Sequence, residues 1–380
     1  MRTQKDRIIE ELKRKGYSNP TSAHWGSELY DELYGKDKDF YNKEDIEWAN
    51  ERGFSGEEKM IFNLNEDNYR DFLSRKDYHI LDPIDPLTKR LVDGKLVIYY
   101  TIGGRYPQYI PDYYCWIDDY GNIVPMESNV VDNYNDIEDY LKKLVDKNRV
   151  IAIKPLAGSG GAGFVKLECR EGNYFANNEL VTDFDSLVAS INKRYVVTEY
   201  VANCKEFNEV WGDSTATLRV VSINTPKGPN SFISYVRFGT AVSKGACNLS
   251  AGGIGVPFDW TTGEYMGKAY RYFTFCDDGN YTLDCHPETG YRFKGNKIPH
   301  FEEVKKLVND ISGYLCVHSY FGFDIMISDD AVKICEINSH PTLDYEQLMF
   351  GGVWKQNECV QTFFRNKLAE KDVEPTLNIR

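Results

Sequence analysis

Residues 321–338 read Phe-Gly-Phe-Asp-Ile-Met-Ile-Ser-Asp-Asp-Ala-Val-Lys-Ile-Cys-Glu-Ile-Asn, two apolar runs around the turn-forming stretch Ser328, Asp329, Asp330 and Ala331. The pattern predicts strands at 321–327 and 332–338 joined as a hairpin. Centred on residue 330, the hairpin sets Asp324 directly opposite Glu336, and the two-residue period of a strand puts Asn338 on the face of Glu336. Met326 and Ile334 are expected on that face as well, so the acids adjoin apolar surface. Two carboxylates opposed on a half-buried face repel each other. A shared proton, a nearby Arg or Lys, or a metal must offset the repulsion. Two carboxylates and an amide oxygen are hard donors, suited to a Mg²⁺ ion that also binds substrate phosphates. Asp324, Glu336 and Asn338 are therefore the candidate metal ligands. The competing reading is a set of solvated acids on an exposed hairpin face.

A second feature lies upstream. Gly158-Ser159-Gly160-Gly161-Ala162-Gly163 satisfies the GxGxxG pattern. In a dinucleotide-binding unit that motif opens a helix. Here it is followed by Phe164-Val165-Lys166-Leu167-Glu168-Cys169, which alternates as a strand, and no GK[ST] ending marks a Walker loop. A strand, a glycine loop and a second strand form a flexible hairpin whose bare backbone amides can fold over phosphates. Lys154 ends the preceding apolar strand, 150–154, where its ammonium can reach the same space. The alternative is a surface hairpin with a snorkelling lysine.

Around these features the chain reads as α+β with mostly antiparallel strands. Helices are expected at 4–15, 44–51, 66–74, 135–147, 184–193, 301–315 and 354–368. Further strands are expected at 96–101, 195–200, 217–224 and 232–241. The division expected is an N-terminal helical extension (1–90), a lid subdomain with the glycine loop (91–200), a subdomain with the metal site (201–368) and a tail (369–380).

Composition narrows the function. At 380 residues, with 42% hydrophobic content, the chain has enough apolar material for two or three packed subdomains. A formal charge of −13 argues against a duplex-binding surface. The apolar run at 96–100 falls far short of the roughly 18–20 residues of a membrane span. The charged start lacks the apolar core of a signal peptide. Nine cysteines, odd in number and without a CxxC pair, fit reduced, mostly buried thiols in a cytoplasmic protein.

With both ends of the pattern in hand, the chain resembles the ATP-grasp ligases, nearest in pattern to the sugar-transfer-associated and glutamate-ligase-related branch. The resemblance spans about residues 85–350. It implies an ATP-grasp fold, two α+β subdomains gripping ATP, behind the helical extension. It implies that Lys154 and the loop Gly158, Ser159, Gly160, Gly161 and Gly163 cover the ATP phosphates. Glu199, Tyr200 and Val201, in Thr198-Glu199-Tyr200-Val201, would line the adenine pocket, and Glu206 would contact the ribose. Lys95 would be the first nucleotide lysine, and Asp324, Glu336 and Asn338 would bind magnesium. Thr217-Leu218-Arg219 resembles the arginine strand of ribosomal-protein glutamate ligases and tubulin tyrosine ligase. Arg237 and Asn248 continue that series, and all three are the implied catalytic residues. Thr217 stands where those ligases have an acidic residue, and Ala251 where they have a basic one.

The resemblance implies ATP-dependent joining of a carboxylate to an amine through an acylphosphate, with ATP and Mg²⁺ as cofactors. The substrates would be small molecules, glycans or peptides, in surface-polysaccharide or peptide modification. The alternative is an ATP-grasp phosphotransferase acting on a hydroxyl. His340, Asp344 and Tyr345 follow the metal strand and are candidates for lining the acceptor site, although a lone histidine is usually structural. No base is paired with Cys247 or Cys335, so burial explains those thiols better than nucleophilic chemistry.

Overall fold

The computed structural model describes residues 3–14, 19–34, 41–126, 131–157, 161–191, 193–276 and 279–371. The extension consists of α1 (Gln4–Arg14), α2 (Asn19–Tyr34), α3 (Lys43–Glu51), α4 (Gly56–Ile61) and α5 (Arg75–Ile80). Its starts are encoded locally. Asn42 caps α3 by accepting the Asp45 N–H at 2.7 Å, and Ser55 and Glu58 form a reciprocal capping box on α4. The expected helix at 66–74 is only a short 3-10 turn, Tyr69–Asp71, and α2, α4 and α5 were not anticipated.

The expected strand at 96–101 is helical instead: α6 (Lys95–Ile98) runs into a π-turn at Tyr99–Gly103. Its β-branched and aromatic residues favour a strand locally. Tertiary packing overrides them, because Ile98 and Ile102, four apart, are buried in the core while Tyr100 is exposed.

Two seven-stranded antiparallel sheets follow. The first holds β1 (Tyr113–Ile117), β2 (Ile123–Pro125), β3 (Val150–Pro155), β4 (Val165–Arg170), β5 (Asn173–Ala176), β6 (Glu179–Leu180) and β7 (Tyr195–Glu199), ordered β2-β1-β7-β3-β4-β5-β6. Between its strands run α7 (Ile137–Asn148) and α8 (Phe184–Ser190). Leu141, Leu144 and Val145 of α7 pack on Ile151 and Ile153 of β3. Strand alternation then turns Ala152 and Lys154 to the opposite face, where Val196, the partner of Lys154, joins the core of the second sheet.

That second sheet holds β8 (Thr217–Thr225), β9 (Gly228–Phe238), β10 (Ile254–Pro257), β11 (Ala269–Arg271), β12 (Thr282–Leu283), β13 (Tyr320–Ile327) and β14 (Val332–Asn338), ordered β12-β11-β10-β9-β8-β13-β14. The helices α9 (Lys205–Val210), α10 (Phe301–Tyr314), α11 (Asp344–Phe350) and α12 (Glu358–Glu370) accompany it. One face buries Val220, Phe323 and Ile325 with Val304, Leu307 and Ile311 of α10. The other packs Val221, Ile223 and Tyr320 against Phe364 of α12 and Phe54 and Leu73 of the extension.

The extension is thus fastened to the body. Gln347 accepts the Leu73 N–H at 2.9 Å and donates to the Leu73 carbonyl at 3.0 Å. Gly352 lies so close to this segment that an added Cβ would stand 1.9 Å from the Asp71 carbonyl oxygen. Gly352→Ala is therefore expected to destabilise the protein by about 1–3 kcal/mol through overpacking, read as a lower urea midpoint. An unchanged midpoint would contradict this contact.

All nine cysteines are free. Burial is less general than expected: Cys115, Cys169 and Cys204 are buried, Cys316 is exposed and the others lie between. Among the described residues, no helix is long and apolar enough to cross a membrane.

Candidate active site

The β13–β14 register places Asp324 opposite Glu336, as the hairpin pattern predicted, and Gly322 opposite Asn338. A β-bulge then intervenes, so that Ile325 faces Ile334. This corrects one expectation. Ile334 pairs away from the acids and enters the α10-side core, because the extra residue at Cys335 breaks the strand's alternation. Gly322 is needed where it stands: a Cβ there would lie 2.5 Å from Pro341 Cβ, on the chain that crosses over the sheet after β14.

On the other side of β13, Arg219 is the cross-strand partner of Asp324. Its Nε donates to Asp324 Oδ1 at 2.6 Å and its Nη2 to Oδ2 at 3.2 Å. Arg237 Nη2 reaches the same Oδ1 at 2.9 Å. Arg237 also donates from Nε to Thr217 Oγ1 at 2.9 Å and from Nη1 to Asn248 Oδ1 at 3.0 Å. The three residues expected to act together, Arg219, Arg237 and Asn248, are therefore brought together. Thr217, where related ligases have an acid, serves as an acceptor for Arg237.

Both arginines and Asp324 are less than a tenth exposed. Burial alone would raise the Asp324 carboxyl, but the two guanidinium charges outweigh it and hold its pKa below the ordinary value. Glu336 behaves oppositely. Burial raises its pKa, the Asp324 charge adds to the effect, and Lys95 opposes it from 3.9 Å, too far for a hydrogen bond. Lys95 thus reaches the site from the first residue of α6, where a strand was expected to begin just after it. Lys154 is 8% exposed, and its charge acts on Cys335, beside Glu336. Burial is the larger influence on Cys335 and holds its thiol protonated, which disfavours a nucleophilic role.

The remaining expected nucleotide residues are spread along β7 and beyond. Glu199 accepts from Lys333 Nζ at 2.5 Å and from the Asp112 N–H at 3.1 Å, tying the two sheets together. The Tyr200 hydroxyl accepts from Thr215 at 3.0 Å, Lys166 lies 5.0 Å over its ring, and Val201 is buried. Glu206 is exposed on α9, beside the hairpin turn, where the Lys205 N–H donates to Asp329 at 2.7 Å. Gly161 and Gly163 adopt φ of 81° and 76°, the left-handed region open to glycine. Gly158, Ser159 and Gly160 lie outside the described residues.

Sequence reasoning missed two parts of the site. Glu346 on α11 is buried and accepts from the Tyr235 hydroxyl at 2.7 Å, with Tyr235 the cross-strand partner of Arg219. Burial raises the Glu346 pKa against the opposing Arg219 charge. No local pattern marks this residue. The second is a cavity of about 430 Å³ lined by Glu336 and Asn338 and also by His24, Glu28, Arg75 and His79 of the extension. Its only sequence signal is His24 and Glu28, four apart on one helix.

His340 and Asp344 line the same cavity; the Tyr345 hydroxyl instead accepts the Phe273 N–H at 2.8 Å. His340 stacks on Tyr78 with ring centroids 4.0 Å apart, and burial brings its pKa down to about 4, so it is neutral at physiological pH.

Opposed carboxylates, an amide, two buried arginines and two lysines thus gather around the β13–β14 hairpin. The chain belongs to the sugar-transfer associated ATP-grasp family, whose sequence model matches residues 82–360. Among solved structures it is similar to an N5-carboxyaminoimidazole ribonucleotide synthetase in complex with ADP, at 9% identity and a TM-score of 0.41, covering 77% of this chain and 54% of that one. It is also similar to D-alanyl-alanine synthetase A from Vibrio cholerae O1 biovar eltor, at 10% identity and a TM-score of 0.42, covering 73% and 66%. A third is an L-amino acid ligase from Bacillus licheniformis, at 8% identity and a TM-score of 0.40, covering 76% and 52%. The chain spans about half to two thirds of the length of these proteins. No curated protein sequence matches it.

Proposed function

We propose that this chain is a cytoplasmic ATP-dependent ligase that joins a carboxylate to an amine through an acylphosphate. The observation that carries the reading is the register that lines up Arg219, Asp324 and Glu336 across three strands, with Arg237 on the same carboxylate. Four cationic side chains, Arg219, Arg237, Lys95 and Lys154, then stand around two carboxylates. This balance suits a triphosphate carrying magnesium.

The donor set fits that metal. Among the described residues Asp324 Oδ2 accepts one hydrogen bond, at 3.2 Å, and Asn338 uses its Nδ2 on the Gly322 carbonyl at 3.4 Å, which leaves the Asn338 Oδ1 as a donor to a metal. Glu336 is a half-buried carboxylate whose pKa is raised by desolvation and the Asp324 charge against the opposing Lys95 charge. Asp324, Glu336 and Asn338 would hold the ion, and its chemistry there is to neutralise phosphate oxygens.

The chain's own residues do the positioning. Arg219 has Nη1 left over from its Asp324 contacts, and this nitrogen would hold the transferring phosphoryl or the acid substrate. Lys154 and the backbone amides of the loop 158–163 would clamp the phosphates. Glu199, Tyr200 and Val201 would face the base, and Glu206 the ribose. A lid of residues 91–200 over a body of 201–368, with the extension 1–90 and tail 369–380, completes the reading. The carboxylate oxygen then attacks the γ-phosphorus, ADP leaves, and the amine displaces phosphate from carbon. The family's association with sugar transfer supports a sugar acid or peptide as substrate, in surface-polysaccharide modification.

The test is a panel of carboxylic acids assayed with Mg–ATP and hydroxylamine, which converts an acylphosphate to a hydroxamate. One acid is expected to give hydroxamate with stoichiometric ADP. A stable phosphorylated hydroxyl product in place of hydroxamate would show a phosphotransferase instead.

A further inference from the structure

The cavity beside Glu336 and Asn338 is built partly by residues that precede the matched family segment: His24, Glu28, Arg75 and His79 all lie before residue 82. Its specificity therefore belongs to this chain's own extension. The wall is acidic. Five carboxylates line it against Arg75 and Lys89. Arg75 is shared between Glu28, at 3.0 Å, and Asp344, and Lys89 between Asp82, at 3.4 Å, and Asp93, at 3.5 Å. Each cation thus answers two acids, and the unmatched charge favours a positively charged occupant. The arginine cluster on β8 and β9 has the opposite character and suits the acid substrate.

One wall also holds a base. His79 Nε2 lies 3.0 Å from Glu28 Oε2, and the His24 ring packs edge-on against His79 with centroids 4.4 Å apart. With Nε2 donating to Glu28, the lone pair of the neutral ring is on Nδ1. Burial would raise the Glu28 carboxyl, but the His79 hydrogen bond and the Arg75 charge outweigh it and bring it down to about 2. Glu28 therefore stays ionised, and its hydrogen bond fixes the orientation and tautomer of the His79 ring, the arrangement that orients a general base.

We infer that this cavity seats the second substrate as a primary ammonium ion, and that His79, oriented by Glu28, is the base that makes it nucleophilic. The inference rests on the ligase reading above. In the step, an ammonium N–H bond breaks and its proton passes to His79. The freed electron pair forms the C–N bond to the acylphosphate carbon. The C–O bond to phosphate breaks, and phosphate leaves with the electron pair of that broken bond and takes the amine's second proton. His79 is the catalytic residue here and Glu28 its positioning residue.

Hydroxylamine separates the two readings, because it is uncharged at neutral pH and needs no base. The full-length chain would be assayed with the acid that yields hydroxamate, first with hydroxylamine and then with ethanolamine, L-lysine and D-glucosamine. His79→Asn and Glu28→Gln are expected to keep hydroxamate formation within about twofold while amine-dependent ADP release falls at least about 100-fold, the range of a lost general base. His79→Asn leaves the Arg75 contacts untouched and serves if Glu28→Gln does not fold. The inference is overturned if none of the amines replaces hydroxylamine, if the variants keep amine turnover, or if they lose hydroxamate formation in parallel. Absence of hydroxamate from wild-type protein with every acid would instead overturn the ligase reading itself.

Discussion

Glu336→Gln is expected to lower magnesium-dependent turnover by about 10²–10³-fold, the scale seen when one charge-stabilising group is removed from a reacting centre. The amide keeps the size of the side chain but not its charge, so the loss falls on metal and phosphate binding. Stability should move the other way. The folded protein raises the Glu336 pKa above its ordinary 4.5, so without metal the ionised side chain opposes folding. Stability of the metal-free wild type therefore declines as pH rises from 4.5 through the folded-state pKa, and glutamine removes that cost. A variant that is inactive yet at least as heat-stable as wild type in chelator is the expected result. Protons compete with the metal for the same carboxylate. Magnesium affinity should therefore weaken on acidification at a higher pH than an ordinary glutamate would give. Near-normal turnover in the variant would remove Glu336 from the metal site.

Asp324→Asn should behave differently, because its carboxylate balances two buried arginines. With the charge gone, Arg219 and Arg237 face each other in a region less than a tenth exposed. Breaking one side of a buried ion pair typically costs about 3–5 kcal/mol. The expected outcome is a loss of that size in urea unfolding together with loss of turnover. The sign with pH follows from the depressed Asp324 pKa. Its stabilisation is complete above the ordinary value of 3.8 and is lost as pH falls through the lower folded value. Wild type and variant should therefore converge in strongly acidic solution. A variant as stable as wild type at neutral pH would mean that the arginines find another counter-charge.

The contrast between the two acids explains what could be read from the sequence. The pairing of Asp324 with Glu336 was legible because two alternating runs around one turn leave a single sensible register. The bulge at Cys335 was not, since one extra residue carries no compositional mark, and it moved Ile334 to the other face. Lys154 and Arg219 could be placed from strand position and motif. Lys95 could be named but not placed, because Leu96, Val97 and Ile98 look like a strand until the core that buries Ile98 and Ile102 is known. The largest omission is the extension. His24, Glu28 and His79 meet only after α2 and α5 pack together, and nothing between residues 24 and 79 records that contact. Elements set by local alternation were readable, whereas sites assembled by packing between distant helices were not.

The central claim is that the two sheets hold a nucleotide whose metal is bound by the β13–β14 acids. Calorimetric titration of a non-hydrolysable ATP analogue into wild type and Glu336→Gln, each with and without magnesium, tests it most directly. The account predicts one nucleotide per wild-type chain, bound at least about tenfold more tightly with magnesium, the worth of a charge-assisted contact or more. It predicts that this enhancement disappears in Glu336→Gln while metal-free binding is retained. An enhancement of equal size in both proteins, or no nucleotide binding by wild type, would contradict it.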